Sequence, residues 1–355
     1  MKKGGIRLKR EYFLGGNTTQ GFFSYYEFLA DGEKFNKIYI VKGGPGTGKS
    51  TAMKKVGKWG EDHGFDVDYV HCSSDPFSLD GVIIKEVGIA MVDGTAPHVV
   101  DVVNAGAVES LLNMGDFWDE NALRKSKAEI IQCNKEISEH FTKTYNFLGA
   151  AGCLYKNCCI MPDKKSAVNV AMEIVANIPR AEKGAGKIRK LFSEAITPEG
   201  IISYADTLVC EKQVVLKSEI YGGSGMITEI LKTKLSEQGY DIEVFYSPLN
   251  PEGEIRNIVV PEIGLSVITT DMMTIADEKR AMVIDVDEMV NAKVDSDFLR
   301  NKILVMTLLQ QAVRTLAGAK RLHDKLESYY IPNINFDAAE KKVDAVLAEI
   351  EKFAQ

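Results

Sequence analysis

The chain has 355 residues, 45% of them hydrophobic and 26% charged, with a net charge of −7. At about 100–200 residues per domain this reads as two domains, each able to bury a core without a metal or disulfide staple. The acidic balance argues against nucleic acid as a partner, and with no stretch approaching 18 apolar residues no membrane span is expected.

The opening residues 1–13 are basic without an apolar run, and the six cysteines are scattered. The expectation is therefore a cytoplasmic protein with reduced thiols. In chain order, Phe13, Thr18, Gly21 and Tyr25 set a pattern that returns as Phe192, Thr197, Gly200 and Tyr204. Residues 37–42 read as an apolar strand entering a glycine-rich loop. Residues 49–62 follow with Ala52, Met53, Val56 and Trp59 at helical spacing. Residues 65–69 alternate as a strand, and 88–92 form a further apolar strand that ends in Asp93. Residues 119–147 form a long amphipathic stretch. A short polar junction at 183–187 then precedes a second copy, offset by about 175 residues. In that copy 213–217 match the loop strand, a helical stretch ends at Gly239 as the first ends at Gly64, and 240–244 match 65–69. Asp75-Pro76 returns as Asn250-Pro251, residues 86–90 return as 262–266, and 298–329 are again helical.

Repeat one is thus 1–185 and repeat two 186–355. Each reads as strand, helix, strand, loop, helix, strand, strand, then a helical region. This is an α/β fold with a mainly parallel sheet flanked by helices.

The loop Gly43-Gly44-Pro45-Gly46-Thr47-Gly48-Lys49-Ser50 fits G-x-x-x-x-G-K-[ST] between a strand and a helix, the context that motif needs. Its glycines let successive N–H groups point inward at phosphate oxygens, and the new helix adds its positive end. Lys49 is expected to reach the β- and γ-phosphates, Ser50 to hold Mg²⁺ and Thr51 to cap the α-phosphate side. The loop resembles that of the P-loop NTPase superfamily. The tandem arrangement, with His71-Cys72-Ser73-Ser74-Asp75 and Asp93-Gly94-Thr95-Ala96-Pro97-His98, resembles a group of bacterial tandem P-loop ATP-binding proteins. The resemblance implies two P-loop NTPase-like domains and nucleotide binding, and it supplies no further substrate.

Asp93, at the end of its strand, is the expected second Mg²⁺ ligand. Asp75 lies where ligands bind beyond strand ends and is a candidate general base, or else caps its own turn. Thr95 and His98 are placed to sense a γ-phosphate. No Asn-Lys pair is followed by aspartate at the guanine-reading spacing, so ATP is expected over GTP. The second loop lacks this chemistry. Ser224 stands for Lys49, Gly225 for Ser50, Glu219 would repel a phosphate, and Thr269 or its neighbour stands opposite Asp93. Repeat two is therefore expected to be structural or regulatory. Arg256, Arg280 and Arg300 are candidates for a charge it lends. Residues 283–288, apolar and then acidic, read as a short strand or helix start, and Cys153, Cys158 and Cys159 match no common zinc spacing. The leading activity is Mg-dependent ATP hydrolysis. The alternatives are a small-molecule kinase whose acceptor lies by 71–75, and a nucleotide-gated switch for a protein partner.

Overall fold

The computed structural model describes residues 9–28, 35–97, 100–158, 160–218, 223–271, 274, 278–290 and 294–355. The chain opens on β1 (Lys9–Tyr12), then β2 (Gly15–Thr18), β3 (Gly21–Ser24) and β4 (Lys37–Lys42). Helix α1 (Lys49–Asp62) follows, then β5 (Val67–His71), β6 (Leu79–Ile84), β7 (Ile89–Asp93) and β8 (Glu109–Asn113). Helices α2 (Glu120–Lys125), α3 (Lys127–Tyr155) and α4 (Lys164–Val175) complete the first half. The series then returns as β9 (Ile188–Leu191), β10 (Glu194–Thr197), β11 (Gly200–Ser203), β12 (Lys212–Lys217), α5 (Gly225–Glu237), β13 (Ile242–Ser247), β14 (Asn250–Val260), β15 (Leu265–Thr270) and β16 (Met282–Asp285). Two helices end the chain, α6 (Ser296–Tyr330) and α7 (Phe336–Phe353).

The two six-stranded sheets share one topology. The first has the order β1-β5-β6-β7-β4-β8 and the second, read from its other edge, β16-β12-β15-β14-β13-β9. In each, the third strand after the outer parallel pair (β6, β14) runs against its neighbours, and the others are parallel. The hairpins repeat down to their turns. Thr18 Oγ1 donates to Gly21 O at 2.8 Å, and Thr197 Oγ1 to Gly200 O at 2.8 Å. The glycines sit at φ +96° and +116°, where a side chain would be strained.

Two features depart from the sequence reading. Where a helix was expected between the first strand and the loop strand there is a hairpin and a short 3₁₀ turn (Tyr26–Phe28, Ala205–Leu208). The threonine-glycine turn closes two β-rich arms before a helix can nucleate. The antiparallel strand β6 was also unforeseen. All its residues are buried, so it shows no alternation to read.

Grouped by proximity, the chain forms two compact units that interleave in sequence. One holds the described residues up to Gly15, with Tyr26–Lys143 and Arg314–Gln355. The other holds Gly16–Tyr25 and Thr144–Val313. A single cut at 185 therefore divides the sheets but not the units. In the first unit, α7 buries Ala339, Val343, Val346 and Ile350, one helical stripe, in the same core as Met53, Val56 and Trp59 of α1. In the second unit, the β2–β3 hairpin is held by Asn17 Nδ2 donating to Ile196 O at 3.0 Å and Thr19 N to Pro248 O at 3.2 Å. No helix among the described residues is long and apolar enough to cross a membrane. No disulfide joins the described cysteines; Cys153 is exposed, Cys158 is buried, and Cys159 lies outside the described residues.

The second unit also buries a charge cluster. Arg256 on β14, 2% exposed, lies 2.8 Å from Asp271, 3.4 Å from Glu194 and 3.7 Å from Glu254. Burial raises the carboxyl pKa values of Glu194 and Glu254 against the pull of the guanidinium. Removing the cation in Arg256→Met should cost about 3–5 kcal/mol in chemical denaturation, because the carboxylates lose their partner. Both glutamates titrate higher folded than unfolded. Their contribution is therefore full below the unfolded carboxyl range and declines as pH rises through the raised folded values. Glu254→Gln should flatten that decline in a pH series of unfolding midpoints; a decline unchanged in the variant would refute the assignment.

Candidate functional site

Strand β4 delivers the chain into the loop at 43–48, and β7 lies beside it with Val41 paired to Asp93. Gly46 and Gly48 hold φ of +69° and +83°, conformations that glycine adopts without strain. Gly48 caps α1, its carbonyl accepting from Ala52 N at 2.9 Å. The first N–H groups of α1 therefore open toward the loop, where a helix favours an anion. Thr47 is buried and donates to Gly44 O at 2.8 Å, tying the turn together. Ser50 Oγ accepts from Leu79 N at 2.9 Å, which pins the start of β6 to the start of α1. Thr51 is exposed on the first turn.

Lys49 folds back over the loop. Its Nζ donates to Gly43 O at 2.7 Å and Gly44 O at 2.9 Å, and lies 3.6 Å from Asp93 Oδ2. Asp93 in turn accepts from Thr95 N at 2.7 Å, and Thr95 Oγ1 donates to Gly43 O at 3.0 Å. Lys42 closes the corner by donating to Gly94 O. The structure thus brings Lys49, Asp93 and Thr95 together around Gly43; His98 lies outside the described residues.

Asp80 was missed in the sequence. It lies one residue before the Gly81–Val92 pair of β6 and β7, at the irregularity in the β5–β6 ladder, and is 4% exposed. Burial, reinforced by the charge of Asp80, raises the pKa values of Tyr26 and Cys72 well above their ordinary ranges, so both keep their protons. The one available signal was an aspartate inside an otherwise apolar run.

Asp75 is engaged by its own turn, accepting from Phe77 N at 3.3 Å and Ser78 Oγ at 3.0 Å, with Lys320 of α6 at 3.5 Å. His71 joins Pro76 O at 2.9 Å and Glu11 at 3.3 Å, and Ser73 is buried. These contacts give the 71–75 segment a turn-holding role.

The end of α6 lies over the loop. Gly46 N donates to Glu327 Oε1 at 3.2 Å. A Cβ on Gly46 would meet Ile331 Cγ1 at 2.8 Å, and one on Gly44 would meet Trp118 at 3.1 Å and Tyr330 at 3.9 Å. His323, Asp324 and Glu327 offer ligand-type atoms within 4.8 Å of one another. Burial lowers the His323 pKa, so its ring is neutral at pH 7. The sequence marked α6 as a helix but gave no sign of what it faces, since Glu327 is 281 residues from Gly46.

The second loop shows the substitution in full. Leu216 pairs with Thr269 as Val41 pairs with Asp93. Thr269 Oγ1 donates to Ser224 Oγ at 3.2 Å, a neutral contact where repeat one has an ion pair. Ser218 donates to Asp287 at 2.9 Å, so the acidic end of 283–288 lies by this loop, after β16. Residues 219–222 lie outside the described residues. Arg256 is locked in its buried cluster, while Arg280 and Arg300 are exposed and Arg300 pairs with Asp297 at 2.7 Å. No protein-family model matches the chain, and no match was found among curated proteins or solved structures.

Gly46 and Gly48 have similar left-handed backbones, but a Cβ on Gly48 would meet nothing within 4 Å. Gly48→Ala should therefore cost about 1–2 kcal/mol from backbone strain alone. Gly46→Ala should cost measurably more, because Ile331 must also yield. Urea midpoints check this, and equal losses would contradict the Ile331 contact.

Proposed function

We propose that the chain is a P-loop protein that binds and hydrolyses Mg-ATP in repeat one, with repeat two structural or regulatory. The observation that carries this reading is Lys49, whose ammonium joins the Gly43 and Gly44 carbonyls and faces Asp93 at 3.6 Å. A lysine folded onto its own loop is a cation held ready for an anion. The N–H groups of a left-handed glycine loop and a helix start surround the place where that anion would lie.

Ser50 Oγ and the Asp93 carboxylate are hard oxygen donors that suit magnesium, and Asp93 already accommodates a cation beside it. Magnesium held there would neutralise phosphate charge. Lys49 would exchange its two carbonyl partners for β- and γ-phosphate oxygens. The loop N–H groups would donate to the same phosphates. The gain is electrostatic, because donors fixed in advance stabilise charge as it develops on the transferred phosphoryl group. Asp93 would keep the lysine oriented, and Thr95 would hold Asp93.

One observation favours a second reading, the nucleotide-gated switch with a protein partner. Glu327 of α6 and Ile331, in the 3₁₀ turn that follows it, rest on the loop itself, so nucleotide and this segment contend for the same backbone.

Phosphate release from Mg-ATP by the purified chain, beside Lys49→Ala, tests the reading. Turnover should fall about 100-fold or more in the variant, the order expected when one electrostatic stabiliser is removed. Turnover equal in both proteins would sink it.

A further inference from the structure

We propose that Glu327 is a built-in competitor for the nucleotide phosphates, so that nucleotide must expel it from Gly46 before the loop can close on a ligand. The proposal rests on the P-loop reading above and adds a regulation to it.

A glycine-loop N–H is the donor that a phosphate oxygen needs at about 2.7–3.2 Å. Gly46 N already donates to Glu327 Oε1 at 3.2 Å. The acceptor is a carboxylate oxygen, the side-chain group closest in charge and shape to a phosphate oxygen. One N–H cannot serve both in good geometry, and two anions at that spacing repel. Glu327 therefore has to vacate the position.

The contact has support along the helix. Lys320, two turns earlier, faces Asp75 at 3.5 Å. Ile331, in the 3₁₀ turn just past the helix end, lies so near Gly46 that a Cβ there would come within 2.8 Å of its Cγ1. Tyr330 and Trp118, their ring centroids 5.8 Å apart, crowd Gly44. Beyond the helix, Asp119 N donates to Asn333 O at 2.8 Å and Asn335 N to Phe117 O at 2.9 Å. The end of α6 is thus fastened beside the loop, and the Glu327 side chain lies at a fixed distance from the donor it occupies.

A competitor and a prop make opposite predictions. If Glu327 blocks phosphate, its removal raises the fraction of binding-competent loops and tightens apparent affinity. If it merely shapes the loop, its removal weakens affinity. The Glu327 side chain is 31% exposed, so its substitution leaves no buried charge unpaired.

The experiment is titration of Mg-ATP into the full chain, wild type beside Glu327→Gln, Glu327→Ala, Ile331→Ala and Lys49→Ala. Glu327→Ala should bind about tenfold more tightly, the order of one charge-assisted hydrogen bond, and Ile331→Ala should shift the same way. In a Lys49→Ala background the gain should vanish. Binding that is unchanged or weaker in both Glu327 variants overturns the proposal while leaving the P-loop reading intact. If no variant binds Mg-ATP, or Lys49→Ala binds as wild type does, the P-loop reading fails and the proposal fails with it.

Discussion

An ammonium group with only 15% of its side chain exposed must have partners, and Lys49 takes them from the loop that carries it. Two loop carbonyls and Asp93 satisfy it, and the rest of the first unit is arranged so that they can. Strand β7 must lie next to β4 to bring Asp93 within reach. The loop must turn through left-handed glycines to aim its carbonyls back at the lysine. Repeat two removes both charges together, leaving Ser224 against Thr269 at 3.2 Å. Losing one charge alone would leave the other uncompensated, which costs more than losing the pair. The neutral pair is thus a coherent solution of the same geometry.

The two repeats diverge by charge at a second level. By strand register Arg256 in β14 occupies the place of Asp80 in β6, since Asn257 faces Ile268 as Gly81 faces Val92. Repeat one buries an aspartate at this position. Repeat two encloses a guanidinium among Glu194, Glu254 and Asp271. One arrangement holds its cation at the loop, with 15% of the side chain exposed; the other fixes its cation inside the fold at 2% exposure.

Much of this was legible in the sequence because it is local. Strand β4, the loop and α1 lie where the motif and the spacing of Ala52, Met53, Val56 and Trp59 put them. The internal repeat also foretold that the sheets would share a topology, and Thr269 stands where the alignment set it. What escaped was either featureless or distant. Strand β6 is buried on both faces and so carries no period. Asp80 within it looked like a single polar residue in an apolar run. The interleaving of the units depends on the β2–β3 hairpin and on α7, whose stripe of Ala339, Val343, Val346 and Ile350 declares a buried face without naming the core it enters. Glu327 on Gly46 is a contact across most of the chain, and no spacing rule reaches that far.

Backbone amide hydrogen exchange, with and without Mg-ATP, most directly tests the claim that the first loop alone accepts nucleotide phosphates. The expected result is slowed exchange across residues 43–51 on adding Mg-ATP, with residues 217–226 unchanged. Exchange unaltered at 43–51, or slowed at 217–226 instead, would contradict the account.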